Sequence, residues 1–249
     1  MEEVNDMHFS GSRRAFLRDG ALIMVSAAIG PEGIAQAAAL FDKGPKAAVR
    51  IGYFTDIHYA DTDDRGARNY RTSLGKVTEA VDKLNGEHLD FAVHGGDLID
   101  ALPDPTPESE RVFLKRINAE FARLKTNRHY VLGNHCIFSL TKAEYLDTVQ
   151  RPKSYYSFDK HGFHFVILDA CYRKDGVDYG RRNFDYRDTD IPAAERDWLT
   201  EDLKATDKKT VVFVHQRLDL KVGDEDAIYS CPTVRDILEK SGKVVGVFM

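Results

Sequence analysis

Four short apolar runs in this 249-residue chain end in residues that bind metals well. "VRIGYFTDIH" runs out into Asp56 and His58, "DFAVHGGD" into Asp97, "HYVLGNH" into Asn134 and His135, and "TVVFVH" into His215. The runs are rich in β-branched and aromatic residues, the mark of buried strands, and segments of helical spacing lie between them. Strands alternating with helices favour an α/β fold with much parallel pairing. Ligands collect at the carboxyl ends of the strands in such a sheet, so these polar residues should converge.

Leu74, Val77, Val81 and Leu84 recur at helical spacing, with Gly86 placed to end that helix. Thr106 and Pro107 supply an N-cap and a first-turn proline for a second helix, whose inward stripe is Leu114, Ile117, Phe121 and Leu124. Thr141 and Glu144 have the spacing of a capping box. The middle then changes character. "SYYSFD" and "HFVILDA", joined by Lys160-His161-Gly162, read as an antiparallel hairpin that starts a second sheet. Residues 171–190, charged and rich in Tyr and Arg, read as a surface loop. Pro192 opens a helix carrying Trp198, Leu199 and Leu203. Val234, Ile237 and Leu238 mark another helix, and "KVVGVF" a last strand.

The first 39 residues read as an export leader. Arg13-Arg14 precede Phe16-Leu17, a short apolar run follows from Ala21 to Ile29, and the small residues of Ala35-Gln36-Ala37 offer a cleavage site. The order is that of a twin-arginine signal, which predicts passage through the twin-arginine machinery, cleavage near Ala37 and a periplasmic or extracellular protein. The apolar run is too short to span a bilayer comfortably, so no stable membrane span is expected after cleavage. Residues 40–48 read as a linker and 49–249 as one domain. With a formal net charge of −5 the chain lacks the basic field of non-specific nucleic-acid binders, so no nucleic-acid partner is expected. The three cysteines, Cys136, Cys171 and Cys231, are an odd number without finger spacing and indicate no disulfide framework.

Carboxylate and amide oxygens mixed with imidazoles suit Mn²⁺, Fe or Zn²⁺, whereas an all-oxygen cage would suit Ca²⁺. On an extended chain Asp56 and His58 project to the same side and can share one cation. Glycines before Asp97 and Asn134 permit sharp turns at the sheet edge. Asp100 is within reach of the site but reads first as a turn cap, and Arg181, Arg182 and Tyr186, able to grip a phosphate or stack on a base, read first as parts of a solvated loop. His88, His94, His129, His161 and His164 fit no ligand position.

"DIH", "GDLID", "GNH" and "VH" occur in the order found in calcineurin-like metallophosphoesterases, and the chain resembles that family over nearly all of residues 49–249. The wider wording, "YFTDIHYAD", "RNYRTSL", "GDLIDA", "YVLGNH" and "YYSFDKHGFHFVILDA", is similar to the branch containing manganese-dependent ADP-ribose/CDP-alcohol diphosphatases. The resemblance implies a two-sheet α/β sandwich flanked by helices and a pair of divalent metal ions, manganese first among them. Asp56 and His58 would bind one metal, Asn134 and His215 the other, Asp97 would bridge them, and His135 would be the catalytic proton donor. It also implies hydrolysis of phosphodiester or diphosphate bonds in small nucleotide-type substrates. A phosphomonoesterase, a cyclic-nucleotide phosphodiesterase and a non-catalytic metal-binding remnant are the alternatives. Two departures stand out. The family places an acidic residue after the proton donor where this chain has Cys136, which removes the expected partner of the imidazole. The family's closing Gly-His-x-His, expected after "KVVGVF", is not reached before Met249, so the domain reads as incomplete at its C-terminus.

Overall fold

The computed structural model describes residues 13–18, 21–26, 48–66, 68–101, 104–225 and 227–249. Its first sheet has the order β2-β1-β3-β4-β5, formed by β1 (Arg13–Arg18), β2 (Ala21–Ser26), β3 (Val49–Phe54), β4 (Phe91–His94) and β5 (Asn127–Tyr130). β3, β4 and β5 are parallel, and each passage between them goes through a helix, α1 (Ser73–Leu84) and then α2 (Pro107–Phe121). α3 (Lys142–Val149) follows. The second sheet, β6-β7-β8-β9, comprises β6 (Tyr156–Lys160), β7 (Phe163–Ile167), β8 (Lys209–Phe213) and β9 (Val244–Phe248). α4 (Ala193–Ala205) connects β7 to β8, and α5 (Cys231–Lys240) connects β8 to β9.

Side-chain alternation in the strands explains the layers. In β7, Phe163, Phe165 and Ile167 face the first sheet, while Val166 faces α4 and α5; β8 splits in the same way, Val211 and Phe213 inward and Val212 outward. The inner residues meet Val49, Ile51, Phe91 and Val93 of the first sheet. Phe91 meets Phe165 across the interface with ring centroids 4.8 Å apart. On the far side of the first sheet α1, α2 and α3 bury Val77, Val81, Leu114, Ile117, Phe121 and Tyr145. The molecule is therefore helix, sheet, sheet, helix, the sandwich expected from the sequence.

Local signals act where they were read. Thr106 and Ser109 form a reciprocal capping box at α2, and Thr141 and Glu144 form one at α3. The β6-β7 hairpin turns on His161 and Gly162, with φ of 48° and 81°, the left-handed pair that matches strand twist. Two strands precede the one expected to be first. Part of the segment read as a leader, residues 13–18 and 21–26, forms an antiparallel pair added to β3. Its alanine exit at 35–37 and most of the linker lie outside the described residues. All three cysteines are free and buried, Cys136 and Cys171 in the core beneath the first sheet and Cys231 in the core beneath the second.

His129 lies flat on Phe158, centroids 3.8 Å apart, and its Nδ1 meets the Tyr156 hydroxyl at 3.0 Å. Burial, helped by the Arg151 charge, pushes its pKa down from 6.5 to about 4. The unfolded chain thus binds a proton at this residue between those pH values and the folded chain does not, so stability falls as pH drops from 6.5 towards 4. Urea midpoints at pH 7 and pH 5 should separate more widely for the native protein than for His129→Phe. Equal separation would show that the ring does not resist protonation.

Candidate metal centre

The carboxyl ends of β3, β4 and β8 and the segment after β5 meet at one edge of the sandwich. Past β3 and β4 the chain keeps pairing without regular strand geometry: the Asp56 N–H donates to Gly96 O at 3.0 Å, and the His58 N–H to Asp97 O at 2.9 Å. Asp56, His58 and Asp97 all adopt left-handed backbone, with φ of 55°, 49° and 54°. For side-chain-bearing residues this costs of order 1 kcal/mol each, and such strain gathers at functional sites. It also changes the geometric reason for the Asp56–His58 pairing. The two approach, His58 Nε2 to Asp56 Oδ1 at 3.6 Å, because both residues turn out of the extended conformation.

Asp97 is the centre. It is almost fully buried, and its Oδ2 lies 3.7 Å from His58 Nε2 and 3.2 Å from His215 Nε2, between a histidine of each sheet. Its Oδ1 accepts the backbone N–H of His135 at 3.0 Å. Burial opposes its charge, but His215, His135 and His58 together hold the carboxyl well below the usual range. Burial likewise opposes charge on His215, whose pKa Asp97 and Asp56 nonetheless lift to about 9. The His215 Nδ1–H donates to Gly95 O at 3.0 Å, which turns Nε2 into the cluster.

Two glycines make this closeness possible. A Cβ on Gly133 would fall 2.1 Å from Asp97 Oδ1, and one on Gly96, where φ is +110°, would fall 2.3 Å from His215 Nδ1. Asn134 opens a one-turn 3-10 helix, Asn134–Ile137, between that glycine and His135, and is half-buried.

Asp100, read first as a turn cap, does reach the site. It is buried, and its Oδ1 accepts His135 Nδ1–H at 2.7 Å, while its Oδ2 faces His58 Nδ1 at 3.2 Å and the Arg68 guanidinium. Burial disfavours its charge, but the hydrogen bond from His135 and the close His58 ring hold it far below the ordinary carboxylate range. A turn-cap contact is also present, with the Ala101 N–H donating to Oδ1 at 2.7 Å. Cys136 cannot play the acidic partner. It is fully buried, its Sγ accepts the Leu98 N–H at 3.2 Å, and burial pushes its thiol up to about 12. The spacing of "GDLID" carried the signal, because Asp100 follows Asp97 by three residues and its N–H is fixed on Tyr59 O at 3.0 Å.

The other sequence candidates lie elsewhere or act as fasteners. Arg181 donates to Ser139 O and Glu144, and Arg182 to Phe138 O and Pro105 O, pinning the loop of residues 171–190 onto the segment that follows His135. Tyr186 pairs with Glu225, and within the "RNYRTSL" segment Tyr70 is buried and Arg71 pairs with Asp61 and Asp63. His94 is buried beneath the site as a neutral ring, its pKa pushed down to about 3 by burial. Asp56, His58 and Asp97 each offer a ligand atom within 4.8 Å of the others. That mixed oxygen and nitrogen set fits a divalent transition metal, and the His58 Nδ1–Asp100 contact is the kind that orients a ligating imidazole.

A model of the family described as calcineurin-like phosphoesterase matches residues 49–248. The chain is similar to the manganese-dependent ADP-ribose/CDP-alcohol diphosphatase of Arabidopsis thaliana, 28% identical over 132 residues, covering 48% of this chain and 42% of the relative. It is 33% identical over 105 residues to the protein of the same name from Xenopus tropicalis, covering 39% of this chain and 30% of the relative. The match thus spans less than half the length of either relative. Among solved structures, a dimetal phosphatase from Danio rerio superposes with a TM-score of 0.66 at 19% identity, covering 78% of each chain, and shares the fold.

Gly133→Ala should keep the fold, as judged by circular dichroism, at a cost of about 1–3 kcal/mol, because a methyl group forced into a filled space strains its surroundings. Divalent-metal uptake, followed by titration, should fall sharply, since the collision is with Asp97 itself. Unchanged uptake would separate Asp97 from the metal centre.

Proposed function

The chain belongs to the calcineurin-like phosphoesterase family, and on that premise we propose that it is a metal-dependent hydrolase of phosphodiester or diphosphate bonds in nucleotide-type substrates. The supporting observation is Asp97 Oδ2, held between His58 Nε2 and His215 Nε2 with Asp56 alongside. Asp56, His58 and Asp97 would hold one metal, and Asp97, Asn134 and His215 the other. When bound, two divalent ions supply the charge that activates water and neutralises phosphoryl oxygens. Manganese is the proposed occupant, in keeping with the names of the curated relatives.

The chain's own contribution is to proton handling and orientation. His135 donates Nδ1–H to Asp100, which fixes the tautomer and leaves Nε2 as the atom that exchanges a proton with the leaving oxygen. Its backbone N–H, bound to Asp97 Oδ1, ties the ring's position to the centre of the site. The His58 ring stands edge-on to it, centroids 4.9 Å apart and planes at 87°, and restricts its swing. Export through the twin-arginine pathway is proposed from Arg13-Arg14, the apolar run and the alanine exit.

The test is metal content together with parallel turnover of ADP-ribose, 4-nitrophenyl phosphate and cyclic AMP. Asp97→Asn should lose metal and turnover together. His135→Asn should keep its metal and lose about 100-fold or more in turnover, the usual loss when a general acid is removed. ADP-ribose inert beside a fast monoester would overturn the substrate reading, and full activity in Asp97→Asn would overturn the site.

A further inference from the structure

Asp100 is held at both of its oxygens. Oδ1 accepts the His135 Nδ1–H and the Ala101 N–H, each at 2.7 Å, while Oδ2 faces His58 Nδ1 at 3.2 Å and pairs with the Arg68 guanidinium. Arg68 thus stands behind the carboxylate, on the Nδ1 side of both rings and away from the Nε2 atom that His58 turns to Asp56 and Asp97. A side chain so placed acts on the reaction through Asp100. Its own place is fixed: Arg65 and Arg68 exchange backbone hydrogen bonds of 3.1 and 3.0 Å, and the buried Tyr70 hydrogen-bonds to the Arg68 side chain.

The Asp100 side chain is 4% exposed, and a buried charge that loses its partner is left uncompensated. The two rings are not lasting partners. A ligating imidazole is neutral, and a proton donor is neutral once it has given its proton. Of the side chains on Asp100, Arg68 is the one whose charge stays the same throughout. It also fixes the plane of the carboxylate. With Oδ1 loaded by His135 and Ala101 and Oδ2 by Arg68, the group cannot turn without breaking a charge-assisted bond. Without Arg68, Oδ2 keeps the longer approach of His58, and the carboxylate can swing and take the His135 ring with it. We propose that Arg68 is a positioning residue, which through Asp100 holds the His135 ring with its Nε2 set to protonate the leaving oxygen. The inference rests on the phosphoesterase reading above and adds the residue on which the proton donor's alignment depends.

The experiment reads the ring and the reaction separately in the full chain, in wild type, Arg68→Met and Arg68→Lys. Arg68 is partly exposed, so neither change opens a hole in the core; Arg68→Gln replaces the Met variant if that does not fold. Proton magnetic resonance with zinc bound should show a downfield imidazole N–H signal in wild type that His135→Asn removes. Arg68→Met should lose that signal or move it upfield, and Arg68→Lys, which keeps a cation beside Asp100, should retain it. Turnover with manganese is then compared on the phenyl and 4-nitrophenyl esters of thymidine monophosphate, because 4-nitrophenolate leaves without needing a proton. Arg68→Met should lower kcat on the phenyl ester about tenfold or more, the usual loss when the partner that orients an active-site group is removed. It should leave KM and the 4-nitrophenyl ester nearly unchanged, and Arg68→Lys should recover most of the loss. A signal absent from wild type or unmoved in Arg68→Met overturns the proposal, as does an equal loss on both esters, which would mark a merely structural role. If the signal is unmoved while wild type hydrolyses the esters, the positioning role fails and the phosphoesterase reading stands. If the signal moves but wild type turns over neither ester nor ADP-ribose, the hold on the ring stands and the phosphoesterase reading fails.

Discussion

The carboxylates of Asp56, Asp97 and Asp100 lie around three imidazoles at one edge of the sandwich, and Asp97 and Asp100 are buried. Left to themselves, negative groups so close in a low-dielectric setting would repel and take up protons. Here the imidazoles stand between them. His58 faces Asp56 and Asp97 through Nε2 and Asp100 through Nδ1, His215 faces Asp97, and His135 faces Asp100. The alternation of charge keeps the acids ionised, and ionised acids are what a divalent cation needs. Lose the interleaving and the pocket is no longer a metal centre.

Such an arrangement demands a frame that does not relax. Two parallel segments, β3-β4-β5 and β7-β8-β9, are pressed together by Phe91, Phe165 and Phe213, and their strand ends reach the same edge from both sheets. Close-packed aromatic layers resist sliding, because any shift opens voids whose lost contacts are not replaced. The strain of left-handed Asp56, His58 and Asp97 is held against that packing. The loop of residues 171–190 adds a clamp from outside, its paired arginines tied to the Phe138 and Ser139 carbonyls just past His135.

Residue 136 is Cys where the family resemblance leads one to expect an acid, and the partner of the His135 imidazole comes from elsewhere in the chain. Residue 136 faces the core, where a thiol fits and an ionised carboxylate would be costly. The imidazole of His135 finds its acid in Asp100, on the loop after β4, and that acid is itself anchored by Arg68. The same carboxylate therefore orients two rings and fixes one cation.

By itself the sequence determined the strands from β3 to β9, though not the pair that precedes them, that a second sheet starts at the 156–167 hairpin, and that Asp56, His58, Asp97, His135 and His215 meet. These follow from patterns of short range: alternation, capping spacing, a glycine pair before Asp97, a turn at His161-Gly162. Tertiary structure alone decided what Asp100 and Arg68 do, and that Arg181 and Arg182 fasten a loop rather than drift in solvent. Their partners lie 32, 35 and 42 residues away for the contacts Arg68–Asp100, His135–Asp100 and Arg181–Ser139. The second acid of "GDLID" marks Asp100, but no local pattern names the partners of these residues. Hydrogen bonding and Coulomb energy depend on distance in space, and that distance is set only when the two sheets pack and their strand ends are brought to one edge.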